Sequence, residues 1–350
     1  MKIKYLTKAN KYKNIKQDDS VNKRNKIFYK QSLKYAIILL CVCAFIFCFY
    51  KLFIKKVPSI SSIPFVPSIT SKEKIYFDKY EVEKFNEIKN KLKQECVDLF
   101  KNQKEFLNGL IRKFKPKKIV EVGARFGGSA IVMLNAIDDF KDSKLYSIDL
   151  DSSEHVGECL RKYFPNFMKK WTLFKGKIAC EYIEQIGGDI DMAFIDTIHT
   201  EPGEILDFLM VLPFLKENAV VVFHDIAIQI TGWLEKSAPY LIFNGIRGEK
   251  FLPSGDDVLK QDIGAAILDS NQKKYYQEYF RLLGGQWYYF PKEEHINQMR
   301  NFFKKYYEKD CKECLIIFEE AIAFNREYVK KIRNLKDIVL LLINLIELKI

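Results

Sequence analysis

Lys118-Ile119-Val120-Glu121-Val122-Gly123-Ala124-Arg125-Phe126-Gly127-Gly128-Ser129 is the stretch that decides the fold. Ile119, Val120 and Val122 supply the β-branched run of a buried strand. Gly123, Gly127 and Gly128 then form a turn in which backbone passes close to a ligand and adopts positive φ. Ser129 stands where it caps a helix continuing through Ala130-Ile131-Val132-Met133-Leu134, and free N–H groups at such a helix start favour an anionic or polar ligand. The spacing Gly-x-x-x-Gly-Gly departs from Gly-x-Gly-x-x-Gly, which counts against a nicotinamide-dependent oxidoreductase. Packing does not explain Glu121, because a lone buried carboxylate costs several kcal/mol.

One βα unit later, Leu145-Tyr146-Ser147-Ile148-Asp149 is a second strand ending in an acid. Asp149 fits either a ligand to ribose hydroxyls or a helix cap, with Asp151, Ser152 and Ser153 just beyond it. The alternation continues, with strands expected near 118–123, 144–149, 171–175, 190–196 and 219–224 and helical patterns between them. It implies an α/β fold with a mostly parallel sheet covered on both faces. Ile263 to Leu268 and Gln286 to Phe290 read as a closing antiparallel pair. Ligands of such sheets bind outside the carboxyl ends of the strands, where Gly123, Asp149, Gly176, Asp196 and Asp225 arrive. The fourth strand runs into Asp196-Thr197-Ile198-His199 and the fifth into Phe223-His224-Asp225. Two acids and two of the chain's four histidines thus converge as a metal or acid–base cluster.

Glu121-Val122-Gly123 with Asp149 resembles motif I and the following acid of class I S-adenosylmethionine (SAM) dependent methyltransferases. Asp196-x-x-His199, Pro213-Phe214-Leu215-Lys216-Glu217-Asn218 and Phe223-His224-Asp225 are similar to the subgroup of sugar and antibiotic O-methyltransferases, and more distantly to catechol O-methyltransferase. The resemblance spans about 118–290. It implies a Rossmann-like class I sheet whose last strand is antiparallel. It implies SAM held by Glu121, Gly123, Arg125, Gly127, Ser129, Asp149 and Gly176. It also implies Asp196 and Asp225 as ligands of a divalent cation such as Mg²⁺, which orients an acceptor hydroxyl and lowers its pKa. His199, His224 and Asp196 are the catalytic candidates, and the acceptor is a small molecule, sugar or glycan. Two departures leave metal use open: Ile226 stands where catechol-type enzymes carry Asn, and Asn218-Ala219 replaces the usual Gly-Gly.

The net charge of +12 invites a nucleic-acid partner until it is located. Residues 1–56 hold fourteen Lys and Arg against Asp18 and Asp19, which accounts for all of it, and the remaining chain is neutral. A basic tail on a neutral body suits a membrane surface and argues against nucleic acid. The tail, 1–34, leads into the apolar run 35–54, close to the ~20 residues that cross hydrocarbon as a helix. A single-pass anchor is expected there, followed by a Pro/Ser linker at 55–74, the methyltransferase domain at 75–292 and a C-terminal helical extension at 293–350. Lysine density places the N-terminus in the cytoplasm and would export the enzyme domain, whereas SAM is cytosolic, so the side of the domain stays open. A non-catalytic membrane scaffold is the remaining alternative, opposed by the intact acids and histidines. Cys311-Lys312-Glu313-Cys314 has CxxC spacing without the further ligands of a zinc site. Trp233, Pro239, Tyr240 and Phe243 to Gly248 are expected to cover the acceptor side.

Overall fold

The alternating pattern becomes a three-layer α/β/α sandwich in a computed structural model that describes residues 75–77, 82–228, 237–254 and 262–347. The chain divides into two units, Met1–Phe65 and Val66–Ile350, and every described residue belongs to the second. The basic tail, the apolar run 35–54, the linker 55–74 and Trp233 lie outside the described residues. Among the described residues no helix is long and apolar enough to cross a membrane.

The strands are β1 (Ile75–Phe77), β2 (Lys118–Val122), β3 (Lys144–Asp149), β4 (Trp171–Lys175), β5 (Ile190–Ile195), β6 (Leu215–His224), β7 (Gly248–Pro253) and β8 (Ile263–Leu268). The helices are α1 (Val82–Lys89), α2 (Lys101–Phe114), α3 (Gly128–Ala136), α4 (Glu158–Tyr163), α5 (Ala179–Ile186), α6 (Gly203–Val211), α7 (Ala238–Gly245), α8 (Tyr276–Arg281), α9 (Glu293–Tyr307) and α10 (Lys312–Glu347). The sheet order is β1-β7-β8-β6-β5-β2-β3-β4. All pairs are parallel except those of β8, which runs antiparallel to β6 and β7. Since β2 lies between β3 and β5, the connections leave it in opposite directions, and a crevice opens at the carboxyl ends of β2 and β5.

Period-two alternation sorts the core. Val120, Val122, Ile148, Ala193, Ile195, Val221 and Phe223 face one layer, built on α5 to α10. Ile119, Leu145, Met192, Phe194, Val220 and Val222 face the other, built on α1 to α4. On α9 the buried Ile296, Met299, Phe302, Phe303 and Tyr307 recur at helical spacing, and the Tyr307 hydroxyl donates to the Leu209 carbonyl at 2.6 Å. The C-terminal helices, as far as Ile322, therefore share the core of the sheet.

One expected strand is not a strand. Gln286 to Phe290 has the aromatic content of one, but Trp287 is buried as an irregular segment: its N–H donates to Asn325 Oδ1 (2.8 Å) on α10 and its indole N–H to the Leu283 carbonyl (2.9 Å). The antiparallel partner of β8 is instead β7, Gly248-Glu249-Lys250-Phe251-Leu252-Pro253, whose charges and proline mask it in the sequence. Asn218 takes φ of 58°, a left-handed conformation that Asn tolerates, so glycine is dispensable there.

Candidate active site

A cleft of about 800 Å³ opens at the crevice between β2 and β5. Gly123 has φ of 93°, and a Cβ there would lie 1.8 Å from the Asp196 carbonyl oxygen, so only glycine lets the turn cross the end of β5. At Gly128 a Cβ would meet the Cys96 carbonyl at 2.1 Å, because the segment before α2 lies against the start of α3. Asp149 closes the turn from the side: its Oδ2 accepts the N–H groups of Ala124 (2.9 Å) and Arg125 (2.8 Å), and Oδ1 accepts that of Asp151 (2.9 Å). It caps no helix, since α4 begins only at Glu158.

Gly123, Arg125, Ser129 and Asp149 line the cleft, whereas Glu121, Gly127 and Gly176 do not. Glu121 lies fully buried beneath the turn on the α3 side of the sheet, opposite Ser147 on β3. Its two oxygens accept the hydroxyls of Ser129 and Ser147, each at 2.5 Å, and Ser147 in turn accepts the Trp171 indole N–H at 2.7 Å. Glu121 thus supports the turn through Ser129. Burial pushes its carboxyl up to about 7 against the pull of the two hydroxyls, and Asp196 and Asp149 push in the same direction. Gly127 starts α3 with φ of 87°, and the Gly176 N–H donates to the Asp149 carbonyl at 2.9 Å, so both shape the wall from behind.

Across the cleft, Asp196, His199, His224 and Asp225 come together from the ends of β5 and β6. His199 Nε2 lies 3.0 Å from Asp225 Oδ2 and its Nδ1 lies 3.3 Å from Glu204 Oε1. His224 Nδ1 lies 3.2 Å from Asp225 Oδ2 and 3.6 Å from Asp196 Oδ1. Burial opposes charge on both rings, but the carboxylates win: His199 is pushed up to about 10 by Asp225 and Glu204, and His224 stands well above its ordinary value through Asp196 and Asp225. The acids therefore favour the charged form of both rings, and Asp225 is held far below the usual carboxylate range by the two imidazoles despite its burial. Two sets of groups are close enough to share a cation, Asp196 with His199 and Glu204, and Asp196 with His224 and Asp225.

Residues 120–226 match the sequence profile of a family described as a methyltransferase domain. That stretch is similar to a methyltransferase domain. No curated protein matches the chain. Among solved structures, a putative O-methyltransferase from Klebsiella pneumoniae is 18% identical, covering 53% of this chain and 89% of that one with a TM-score of 0.41. An O-methyltransferase of tomaymycin synthesis from Streptomyces achromogenes, solved with SAM, is 17% identical, covering 53% and 90% with a TM-score of 0.40. An O-methyltransferase from Bacillus cereus, in complex with SAH, is 15% identical, covering 54% and 92% with a TM-score of 0.40.

The cluster is surrounded by groups that the strand-end motifs do not contain. Gln103, Glu204 and Asp262 are all buried around the histidines. Burial pushes Glu204 up to about 7, partly offset by His199, and burial with the Asp225 charge pushes Asp262 up to about 7. Two of them carried a signal, a polar residue on an apolar stripe: Gln103 before Phe106, Leu107 and Leu110, and Glu204 before Ile205 and Leu206. The acceptor side differs from expectation too. Pro239 and Phe243 pack into the core, Phe243 against Gly264, while Phe100, Tyr289, Phe290 and Met299 line the cleft. Cys311 and Cys314 form a disulfide rather than half of a zinc site, and Cys96 is joined to Cys159, fastening the 97–100 segment beside the glycine turn.

Proposed function

We propose that the domain transfers the methyl group of SAM to a hydroxyl oxygen of a small molecule, sugar or glycan. The observation that carries this is the meeting, across one cleft, of the Asp149-braced glycine turn with the cluster of Asp196, His199, His224 and Asp225. Methyl transfer is an in-line displacement: the sulfur–methyl bond breaks as the carbon–oxygen bond forms, the sulfonium charge is lost, and the hydroxyl proton must leave. Catalysis then rests on positioning the two partners and on a place for that proton. The turn, with Gly123, Ser129 and Asp149, would hold SAM, and Arg125, braced by its pair with Asp98, would flank it. Phe100, Phe290 and Met299 supply apolar walls against which an acceptor can stack.

The acids suit a divalent cation: Asp196 and Asp225 offer hard oxygen donors on neighbouring strand ends. When bound, such a cation supplies an orienting charge that lowers the pKa of an acceptor hydroxyl. His199 lies at the cleft surface between Asp225 and Glu204, where it can exchange a proton with the acceptor once its pull from the acids is relieved. Transfer of labelled methyl from SAM to a panel of hydroxylated acceptors tests the proposal, because an ether product resists mild base. Methylation confined to nitrogen or carboxylate groups would refute it.

We infer further that residues 35–54 anchor the protein and that the domain faces an oxidising compartment, to which SAM, a cytosolic cofactor, would have to be delivered. The two disulfides, Cys96–Cys159 and Cys311–Cys314, support that side, as does the lysine-rich tail that favours a cytoplasmic N-terminus. Alkaline extraction should leave the chain with membranes, and protease should spare the domain in sealed vesicles. Release by salt alone would refute the anchor, and digestion of the domain would refute the side.

A further inference from the structure

Gln103 sits in the first turn of α2, fully buried and on the wall of the cleft. Its Oε1 accepts the Phe100 backbone N–H at 2.7 Å, and since that N–H can only donate, the orientation of the amide is fixed. The same oxygen lies 3.3 Å from His224 Nε2, so His224 must carry a proton on Nε2 to bond there. Its other nitrogen, Nδ1, is the one that faces Asp225 and Asp196. The Gln103 amide nitrogen is buried without a hydrogen-bond partner.

We propose that His224 Nδ1 is the third ligand of a divalent cation shared with Asp196 and Asp225, and that Gln103 is the positioning residue that presents this nitrogen. The proposal rests on the methyl-transfer reading and changes the metal it calls for. Two carboxylates alone suit Mg²⁺, whereas an added imidazole nitrogen shifts the preference toward the first-row transition cations, of which Mn²⁺ is the paramagnetic probe. The ligand atoms of the three residues lie within 4.8 Å of one another. In the competing set, Asp196 with His199 and Glu204, both nitrogens of His199 face acids, so nothing neutral fixes its tautomer as Gln103 fixes that of His224. An outer partner that orients a ligating histidine is the usual arrangement, and its loss weakens metal binding by roughly 10- to 100-fold.

The test is a Mn²⁺ titration of the full chain followed by electron paramagnetic resonance, with Mg²⁺ in parallel and SAH calorimetry on each sample. The expected result is Mn²⁺ binding tighter than Mg²⁺, with nitrogen modulation on the Mn²⁺ signal that His224→Phe removes. Gln103→Leu should weaken Mn²⁺ by roughly 10- to 100-fold, and Gln103→Glu, which keeps an acceptor for both N–H groups, should restore it. Unchanged SAH affinity shows that a variant is folded; should Gln103→Leu fail there, Gln103→Met replaces it at matched length. Mn²⁺ binding without nitrogen modulation, equal affinity in Gln103→Leu, or no Mn²⁺ binding would each overturn the proposal and leave methyl transfer standing if SAH still binds. Failure of the wild type to bind SAH would overturn both.

Discussion

Glu121→Gln isolates the buried carboxylate beneath the cofactor turn. Burial raises its pKa from 4.5 to about 7, opposed by the hydroxyls of Ser129 and Ser147. At ~1.4 kcal/mol per pH unit that rise is worth roughly 3 kcal/mol. The folded protein holds this proton more tightly than the unfolded chain, so the stability is present in full below about pH 4.5 and lost as the pH rises through about 7. Gln has the same shape and cannot ionise. Ser147, which already accepts the Trp171 indole N–H, can donate to the Gln carbonyl, and the Gln amide can donate to Ser129. Denaturant unfolding across this range should show wild-type stability falling with pH and the variant flatter, ahead of the wild type by up to roughly 3 kcal/mol above neutrality. Because Glu121 does not line the cleft, SAM affinity should change little. A variant whose pH dependence equals that of the wild type, or one destabilised at alkaline pH, would refute the reasoning.

Asp149→Ala removes the acceptor of the Ala124 and Arg125 N–H groups as well as a carboxylate facing the cleft, and should weaken SAM binding by roughly 1–3 kcal/mol in calorimetry. Asp149→Asn, which keeps one acceptor oxygen, should cost less. Chelation should mimic Asp196→Asn and Asp225→Asn in the methyl-transfer assay, and added cation should restore the wild type alone. Cys96→Ala opens a disulfide spanning 63 residues, and should lower unfolding stability by roughly 4 kcal/mol on chain-entropy grounds while loosening the cleft wall that runs from Val97 to Gln103.

The strands that carry the site were legible because their signals are local. Leu145 to Asp149, Ile190 to Asp196 and Ala219 to Asp225 each run from apolar residues into an abrupt acid, and the structure brings those acids to one cleft at the carboxyl ends of the strands. What escaped depends on contacts between distant segments. Gln103 precedes His224 by 121 positions and Cys96 precedes Cys159 by 63, and no spacing links either pair. β7 escaped because it is held by pairing with β1 and β8 rather than by its own alternation, and Gln286 to Phe290 misled because aromatic content serves tertiary packing as readily as a strand. Glu121 was legible as an anomaly; that it works through Ser129 and Ser147 follows only from the register of β2 against β3.

The central claim is that the turn between β2 and α3 is a SAM site, and calorimetric titration of SAH and NAD⁺ into separate samples of the protein tests it most directly. The account predicts saturable binding of SAH, reduced in Asp149→Ala, and no response to NAD⁺. Binding of NAD⁺ with no response to SAH would contradict it.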